Sequence, residues 1–366
     1  MKDNYRKLGE YIQPVDVRNS DLRVSRLLGL SIEKCFIESI ANTIGTDFRP
    51  YKIVKKGQFA YGPVTSRNGD KITIALLEEP ECIISSSYAV FEITDTSKLL
   101  PEYLMLWFSR PEFDRYARFK SHGSVREIFD WDEMCRVELP VPDLTEQQRI
   151  VNAYNTVNRR IYHLQQINEK LEKAAQTIYK NAIEMKSEKE SLYQTTEIKN
   201  GYPFDSDLFN ENFEGLPLIR IRDIKSCNPI VYTTETSSRA EVIKLGDLLV
   251  GMDGEFSPNF WFGEDSLLNQ RVCKLVPIKN YIHPFFIYFS IKPILENLEK
   301  TQGGTTVIHV GKKDFDKMQF ASLPESEHKV LFKNLDYFYK LFLQTKREIF
   351  LLQRSKNLII SHMSEM

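Results

Sequence analysis

A tandem repeat of about half a chain length constrains this 366-residue sequence more than any other feature. Each copy ends in the same series: a Gly-polar loop, a short strand, a proline, then a long amphipathic helix. The first copy reads Phe108-Ser109-Arg110-Pro111, Gly123-Ser124-Val125 and Leu139-Pro140-Val141-Pro142, with a helix from Thr145. The second reads Phe289-Ser290-Ile291-Lys292-Pro293, Gly303-Gly304-Thr305-Thr306-Val307 and Leu323-Pro324, with a helix from Ser326. Positions 108 and 123 recur at 289 and 304, each 181 residues on. Upstream, Ser20-Asp21-Leu22 recurs as Ser206-Asp207-Leu208 and Lys56-Gly57-Gln58 as Leu245-Gly246-Asp247, at slightly larger offsets, so the loops differ in length. Two copies of this size make a duplicated domain, not a solenoid. A duplicated domain implies a bipartite ligand.

Within each copy, short β-branched and aromatic runs between turn signals predict strands. In the first they are Lys52-Ile53-Val54, Gln58 to Tyr61, Lys71 to Leu76 and Tyr88 to Ile93, followed by a helix over Pro101 to Arg110. In the second they lie near Leu218 to Ile221, Asp247 to Val250 and Gln270 to Val276, followed by a helix from Pro284 to about Ser290. Mixed α/β (α+β) domains are expected.

The helices after each copy carry heptad seams. Thr145-Glu146-Gln147-Gln148 has the spacing of a capping box. Beyond it Ile150, Tyr154, Val157, Ile161, Leu164, Asn168, Leu171, Ala175, Ile178, Ala182 and Met185 follow steps of four and three. The second seam runs Leu331, Leu335, Phe338, Phe342, Thr345, Ile349, Leu352, Lys356 and Ile359. At 1.5 Å per residue the seams are about 52 Å and about 42 Å long, so they match over most of their length. One helix connects the domains and the other leaves the second domain. The simplest pairing is therefore an intramolecular antiparallel coiled coil that spaces the domains, with Asn168 and Thr345 as polar register marks.

Charge and cysteines limit the function. A net charge of −1 excludes nucleic-acid binding by bulk positive charge, which leaves local patches or a partner to supply it. Five scattered cysteines without a Cys-x-x-Cys spacing suggest neither a disulfide framework nor a zinc knuckle, in keeping with a reducing cytoplasm. The N-terminal residues lack an apolar signal core, and no run reaches the roughly 18 apolar residues of a membrane span, so no membrane role is expected.

Several stretches together resemble the DNA-specificity subunit of type I restriction-modification systems. They are Leu28 to Lys34, Tyr51 to Tyr61, Leu139 to Ile150, Gly246 to Phe256, Leu268-Asn269-Gln270-Arg271 and the Gly303 to Val307 loop. The resemblance implies two similar target-recognition domains separated by two long helices forming an antiparallel coiled coil. Residues 1–143 would be the first recognition domain, 144–190 the central spacer helix, 191–324 the second domain and 325–362 the C-terminal spacer helix. It also implies double-stranded DNA as ligand, and two methyltransferase (modification) subunits as partners, joined in the full enzyme by two restriction (motor-nuclease) subunits. S-adenosylmethionine, ATP and Mg would sit on those partners, with no cofactor on this chain. The second junction departs from the pattern, since Leu323-Pro324-Glu325-Ser326-Glu327-His328 replaces Pro-x-Pro and the Glu-Gln pair.

The residues themselves show no catalytic or metal site. An adenine methyltransferase needs an Asn/Asp-Pro-Pro-aromatic turn, and Ser257-Pro258-Asn259-Phe260 lacks the second proline. No Gly-x-x-x-x-Gly-Lys-Ser/Thr loop is present for ATP. His122 and His309 are read as solvated loop residues. Base edges are read by loop Arg, Asn, Gln, Ser and Thr, whereas phosphates favour Lys and Arg. The DNA-binding candidates in the first domain are Thr65, Ser66, Arg67, Asn68, Lys71, Ser86, Tyr88, Ser124 and Arg126. Those in the second are Arg220, Arg222, Asp253, Glu255, Asn269, Gln270, Arg271, Thr305 and Thr306. Lys55, Lys56, Lys312 and Lys313 are the phosphate candidates. Two other readings stay open on residues alone: a coiled-coil protein-interaction adaptor, or the recognition half of a fused methyltransferase-nuclease.

Overall fold

The computed structural model describes residues 4–40, 44–66, 69, 71–122, 127–301 and 309–365. The chain forms two compact units: Met1–Arg159 with Arg354–Met366, and Arg160–Gln353.

In the first unit, Tyr5–Lys7 pairs antiparallel with Glu138–Pro140, tying the start of the unit to its end. The centre is a four-stranded antiparallel sheet in the order Ile12–Val15, Ala89–Ile93, Phe59–Tyr61, Ile74–Leu76. Successive side chains of a strand alternate faces, and here both faces are covered. Phe59, Tyr61, Phe91 and Ile93 enter one cluster with Tyr103, Leu104 and Phe108, while Ala60, Ala75 and Val90 enter another with Val54, Cys82 and Ile84. Phe59 stacks on its cross-strand partner Phe91 at 4.9 Å between ring centres. This two-sided burial explains why Phe59-Ala60-Tyr61 is an unbroken apolar run.

Two helices follow, α1 (Pro101–Phe108) and α2 (Pro111–Lys120), each with proline in its first turn. Arg110 between them is extended, as a residue before proline prefers to be, which turns the chain sharply. A short helix α3 (Trp131–Arg136) is capped by Asp130, whose carboxylate accepts the Glu133 N–H at 2.8 Å. The C-terminal residues Ile360 and Met363 complete this unit's core.

The 40-residue helix α4 spans Leu144–Ile183. Its cap differs from the expected box: Asp143, one residue before the helix, accepts the Glu146 N–H at 2.9 Å. Aspartate is at least as good an N-cap as threonine, and it comes two residues earlier. Gln147 is buried instead and bridges the junction, accepting from the Leu100 N–H and donating to the Lys98 and Pro142 carbonyls.

The second unit repeats the plan. Lys189–Ser191 pairs with Gln319–Ala321, and the central sheet has the order Thr196–Asn200, Val272–Pro277, Leu248–Gly251, Asn259–Phe260. Leu248, Val250, Cys273 and Leu275 face one cluster; Leu249 and Val272 face another with Trp261 and Phe262. A five-stranded sheet also forms here, in the order Phe209–Asn210, Tyr232–Thr233, Leu216–Ile219, Ser266–Leu268, Val242–Ile243; in the first unit Lys52–Lys55 pairs antiparallel with Glu81–Ile84, and Leu27 bridges parallel to Ile83.

Helix α5 (Pro284–Thr301) continues through Pro293, beyond the expected end near Ser290. Tertiary contacts override the proline. Ile291 and Leu295 are fully buried on either side of it. Lys292 is held by Glu172 and by the Tyr288 hydroxyl, each at 2.9 Å. A short helix α6 (Lys312–Phe315) precedes α7 (Glu325–His362).

Within the second unit α4 and α7 pack antiparallel: Lys186 of the segment after α4 meets Glu327 near the start of α7, Asn168 meets Thr345, and Arg160 meets Glu348. Every expected seam residue from Ile150 to Ala182 and from Leu331 to Ile359 is buried or half-buried. Met185 lies past the end of α4 and is 90% exposed, so the seam stops before it. At the second junction His328 takes the place of Gln147. Its ring packs edge-on against Phe286 at 4.7 Å, an aromatic contact in place of a polar bridge.

Candidate functional site

Among the described residues, the central sheets bring expected loop residues together at one strand end in each unit. In the first unit the chain leaves Tyr61 there and returns at Ala89. Phe129 donates its N–H to the Pro63 carbonyl at 2.8 Å, and Val64 bridges to Ile128. Thr65 is 2% exposed; its N–H donates to the Glu127 carbonyl, and its hydroxyl lies 2.8 Å from that of Ser121. This hydroxyl ties the 62–66 loop to the segment entering the Gly-polar loop. Ser66 and Ser86 are exposed, and Tyr88 is half-buried in a turn closed on Ser85. Lys71 is exposed and paired with Glu33 at 3.0 Å. Arg67, Asn68, Ser124 and Arg126 lie outside the described residues.

Below this loop sits an ion pair. Asp114 of α2 binds the Lys34 ammonium at 2.7 Å and accepts the Ile72 N–H at 3.1 Å, so one carboxylate fixes the turn at Lys34 and the return of the 66–72 loop. Burial pulls the Lys34 pKa below the ordinary lysine range, against the opposing pull of Asp114.

In the second unit, three loops adjoin at the equivalent end of the sheet. The 251–259 loop folds tightly on itself, so that a Cβ on Gly251 would lie 2.2 Å from the Glu255 carbonyl oxygen, and the 220–225 turn packs against it, placing Ile221 Cγ2 3.0 Å from the same point. A small cavity of about 170 Å³ remains there, lined by Ile221, Lys225, Glu255, Ser257 and Asn259 among others. Arg222 and Glu255 are exposed. Arg220 is half-buried, its N–H donating to Asp223 at 2.9 Å. Burial raises the Asp223 carboxyl above its ordinary range, opposed by the Arg220 N–H and charge.

The 269–271 turn is pinned from beneath. Gln270 donates its N–H to the Tyr202 carbonyl, and Asn269 Oδ1 accepts the Arg271 N–H at 3.4 Å. A Cβ on Gly201 would fall 2.0 Å from the Asn269 carbonyl oxygen, so only glycine admits this turn. Met252 then donates its N–H to the Arg271 carbonyl and accepts from Val310, the counterpart of the Pro63–Phe129 bond.

Asp253 stands between the turns. It pairs with Arg271 at 3.2 Å and with His309 Nδ1 at 2.6 Å. His309, read from sequence as a solvated loop residue, thus belongs to the cluster; its place beside the Gly-polar loop was the only signal. Lys312 and Lys313 are exposed on α6 just beyond it, and Lys55 and Lys56 are exposed in the first unit. Thr305 and Thr306 lie outside the described residues. Among the described residues no group of three or more His, Cys, Asp or Glu is placed to hold a metal ion. No helix among them is long and apolar enough to cross a membrane.

Such loops offer hydrogen-bond donors and cations on a rigid sheet, which suits polar recognition. The comparisons agree with the resemblance read from sequence. Residues 186–351 match the family described as the Type I restriction modification DNA specificity domain. The Type I restriction enzyme EcoBI specificity subunit of Escherichia coli is 32% identical over 146 residues, 40% of this chain and 31% of that protein. The HindI specificity subunit of Haemophilus influenzae is 26% identical over 132 residues, 36% of this chain and 28% of that one. The chain's matching segment therefore spans about a third of these relatives. The fold is similar to the crystal structure of the Type-I restriction-modification system S subunit from M. genitalium. The TM-score is 0.57 over 98% of this chain and 95% of the other, at 12% identity.

Proposed function

We propose that this chain, whose residues 186–351 match the type I restriction modification DNA specificity family, is the DNA sequence-specificity subunit of a type I restriction-modification complex. It reads a bipartite, asymmetric target and performs no chemistry itself. Residues 1–143 and 191–324 are the two recognition domains, and 144–190 and 325–362 supply the spacer helices. Ser66, Arg67, Asn68, Lys71, Ser86, Tyr88, Ser124 and Arg126 are the candidate contacts for one half of the target; Arg220, Arg222, Gln270, Arg271, Thr305 and Thr306 are those for the other. Two methyltransferase subunits carrying S-adenosylmethionine dock on the chain, and two motor-nuclease subunits using ATP and Mg complete the enzyme in the cytoplasm.

The observation that supports this reading most is the repeated scaffold. Two units share one sheet order, and each gathers polar loops at the same strand end, as two half-sites require. A near-neutral chain needs its partners' charge to hold DNA firmly, in keeping with a subunit rather than a lone binder. The test is to reconstitute the chain with its methyltransferase subunits, incubate with a pool of randomised duplexes, and sequence what is retained. Two short motifs separated by a fixed unread gap are expected. A single continuous motif, or none, would overturn the proposal.

A further inference from the structure

Asp253, Arg271 and His309 come from three separate segments of the second unit and meet at one carboxylate. Oxygen Oδ2 of Asp253 faces Arg271 Nη1 at 3.2 Å, and Oδ1 faces His309 Nδ1 at 2.6 Å. The Asp253 side chain is 22% exposed, whereas Arg271 and His309 are 57% and 50% exposed. Backbone bonds fix the frame around them: Met252 N–H to the Arg271 carbonyl, Val310 N–H to the Met252 carbonyl, and Glu255 N–H to the Asp253 carbonyl.

Each carboxylate oxygen of Asp253 thus has a partner within the protein, which fixes its orientation between Arg271 and His309. Arg271 has a different disposition. A guanidinium carries five N–H donors in a fixed planar fork, and holding one Nη1 leaves Nε and Nη2 as a parallel pair. That pair matches the O6 and N7 acceptors on the major-groove edge of guanine. An unrestrained arginine loses rotamer freedom when it binds, whereas one already held at Nη1 loses less.

Resting on the DNA-specificity reading above, we propose that Arg271 reads a guanine in the half-site of the second unit, that Asp253 is its positioning residue, and that His309 in turn orients Asp253. The three residues then divide by role: Arg271 reads a base, and Asp253 and His309 hold the reader.

The experiment is the same selection from randomised duplexes, run with reconstituted complexes containing the wild-type chain, Arg271→Lys, Asp253→Asn, Asp253→Ala or His309→Ala. The wild type should enrich a motif containing one guanine whose preference falls roughly 10- to 100-fold in Arg271→Lys, because lysine keeps the charge and loses the fork. Asp253→Ala should relax preference at that same position and no other. Asp253→Asn, which keeps an acceptor, should relax it less, and His309→Ala should act there too. A merely structural role would lower binding to all sequences and leave the base preference unchanged.

Three outcomes overturn the assignment: an unchanged profile in Arg271→Lys, a uniform loss at every position, or an effect of Asp253→Ala at a different base. A wild-type complex that enriches no sequence overturns the DNA-specificity reading itself, and this assignment with it. An intact motif with Arg271→Lys indifferent overturns only the assignment.

Discussion

Thr345 of α7 donates its hydroxyl to Asn168 Oδ1 of α4 across 2.7 Å, with both residues about 95% buried in a mostly apolar seam. A slip of one heptad would set Asn168 against Phe338 or Leu352, leaving a buried amide without a partner. The pair therefore selects register, at some cost in stability relative to an all-apolar seam.

The two residues of this pair should respond unequally to substitution. The Thr345 hydroxyl has fallback acceptors in the carbonyls of Leu341 and Phe342, at 2.9 and 3.0 Å. Asn168 has no such alternative, and its Nδ2 is already buried without a partner. Thr345→Val should cost about 1–3 kcal/mol, whereas Asn168→Leu should stay within about 1 kcal/mol of wild type. Urea unfolding decides it, and the reverse order would show that the hydroxyl depends on Asn168.

His283 should give the protein an acid-sensitive stability. It is 1% exposed, and burial pushes its pKa down to about 4, with Asp336 opposing and Lys340 reinforcing the shift. Below pH 6.5 the unfolded chain takes a proton that the folded imidazole refuses, so stability falls with pH until the folded group protonates near 4. The loss reaches about 3 kcal/mol at most. Asparagine can still accept the Phe285 N–H that His283 Nδ1 accepts at 3.1 Å. His283→Asn should therefore reduce the fall in melting temperature between pH 6.5 and 4, with buried His328, its pKa also lowered by burial, contributing the remainder in the same direction, and an unchanged slope would assign the acid sensitivity elsewhere.

Gly201→Ala tests the close backbone approach beneath the 269–271 turn. The new methyl would meet backbone rather than a flexible side chain, 2.0 Å from the Asn269 carbonyl oxygen. Strain of this kind costs roughly 1–3 kcal/mol. Thermal unfolding should show it, accompanied by relaxed base preference in the half-site of the second unit. Full stability and selectivity in the variant would mean that the turn moves freely.

In the first unit Asp114→Ala should be the most damaging single change. It leaves the Lys34 ammonium, 8% exposed, without its carboxylate and the Ile72 N–H without its acceptor. Breaking a buried pair from one side costs about 3–5 kcal/mol. Replacing both partners, as Asp114→Leu with Lys34→Met, should restore much of that loss in chemical denaturation. A double variant no better than Asp114→Ala would locate the cost in the lost backbone bond.

Modularity follows from the repeated scaffold. Exchanging residues 1–143 for the corresponding part of a chain of different specificity should change one half of the selected DNA motif and leave the other intact. Sequencing of retained duplexes reads this directly. Change in both halves would show that the units do not read independently.

Much of this architecture is legible before folding, because it depends on local periodicity and on the duplication. The alternation and two-sided apolar runs at Phe59–Tyr61 and Leu248–Gly251, and the seam from Ile150 to Ala182, are each encoded within a few turns of chain. The two polar register marks were visible as interruptions in that seam. Local signals misled where several competed within a few residues: Thr145 had the spacing of a cap, but Asp143 holds the cap position. The expected end near Ser290 falls inside a helix that Glu172 and a buried apolar face carry onward through Pro293. The candidate site was legible as a set of polar loops and no further. Asp253, Arg271 and His309 are far apart in sequence, and no periodicity links them. Only the pairing of Leu248–Gly251 with Val272–Pro277, and the bridge from Asp253 to His309, bring the three to one place. The sequence by itself determined the element types, the duplication and the seam, which are short-range properties of the chain. The tertiary structure alone decided which polar groups satisfy one another, since hydrogen bonds and ion pairs depend on distances of a few ångströms between segments that the chain order leaves apart.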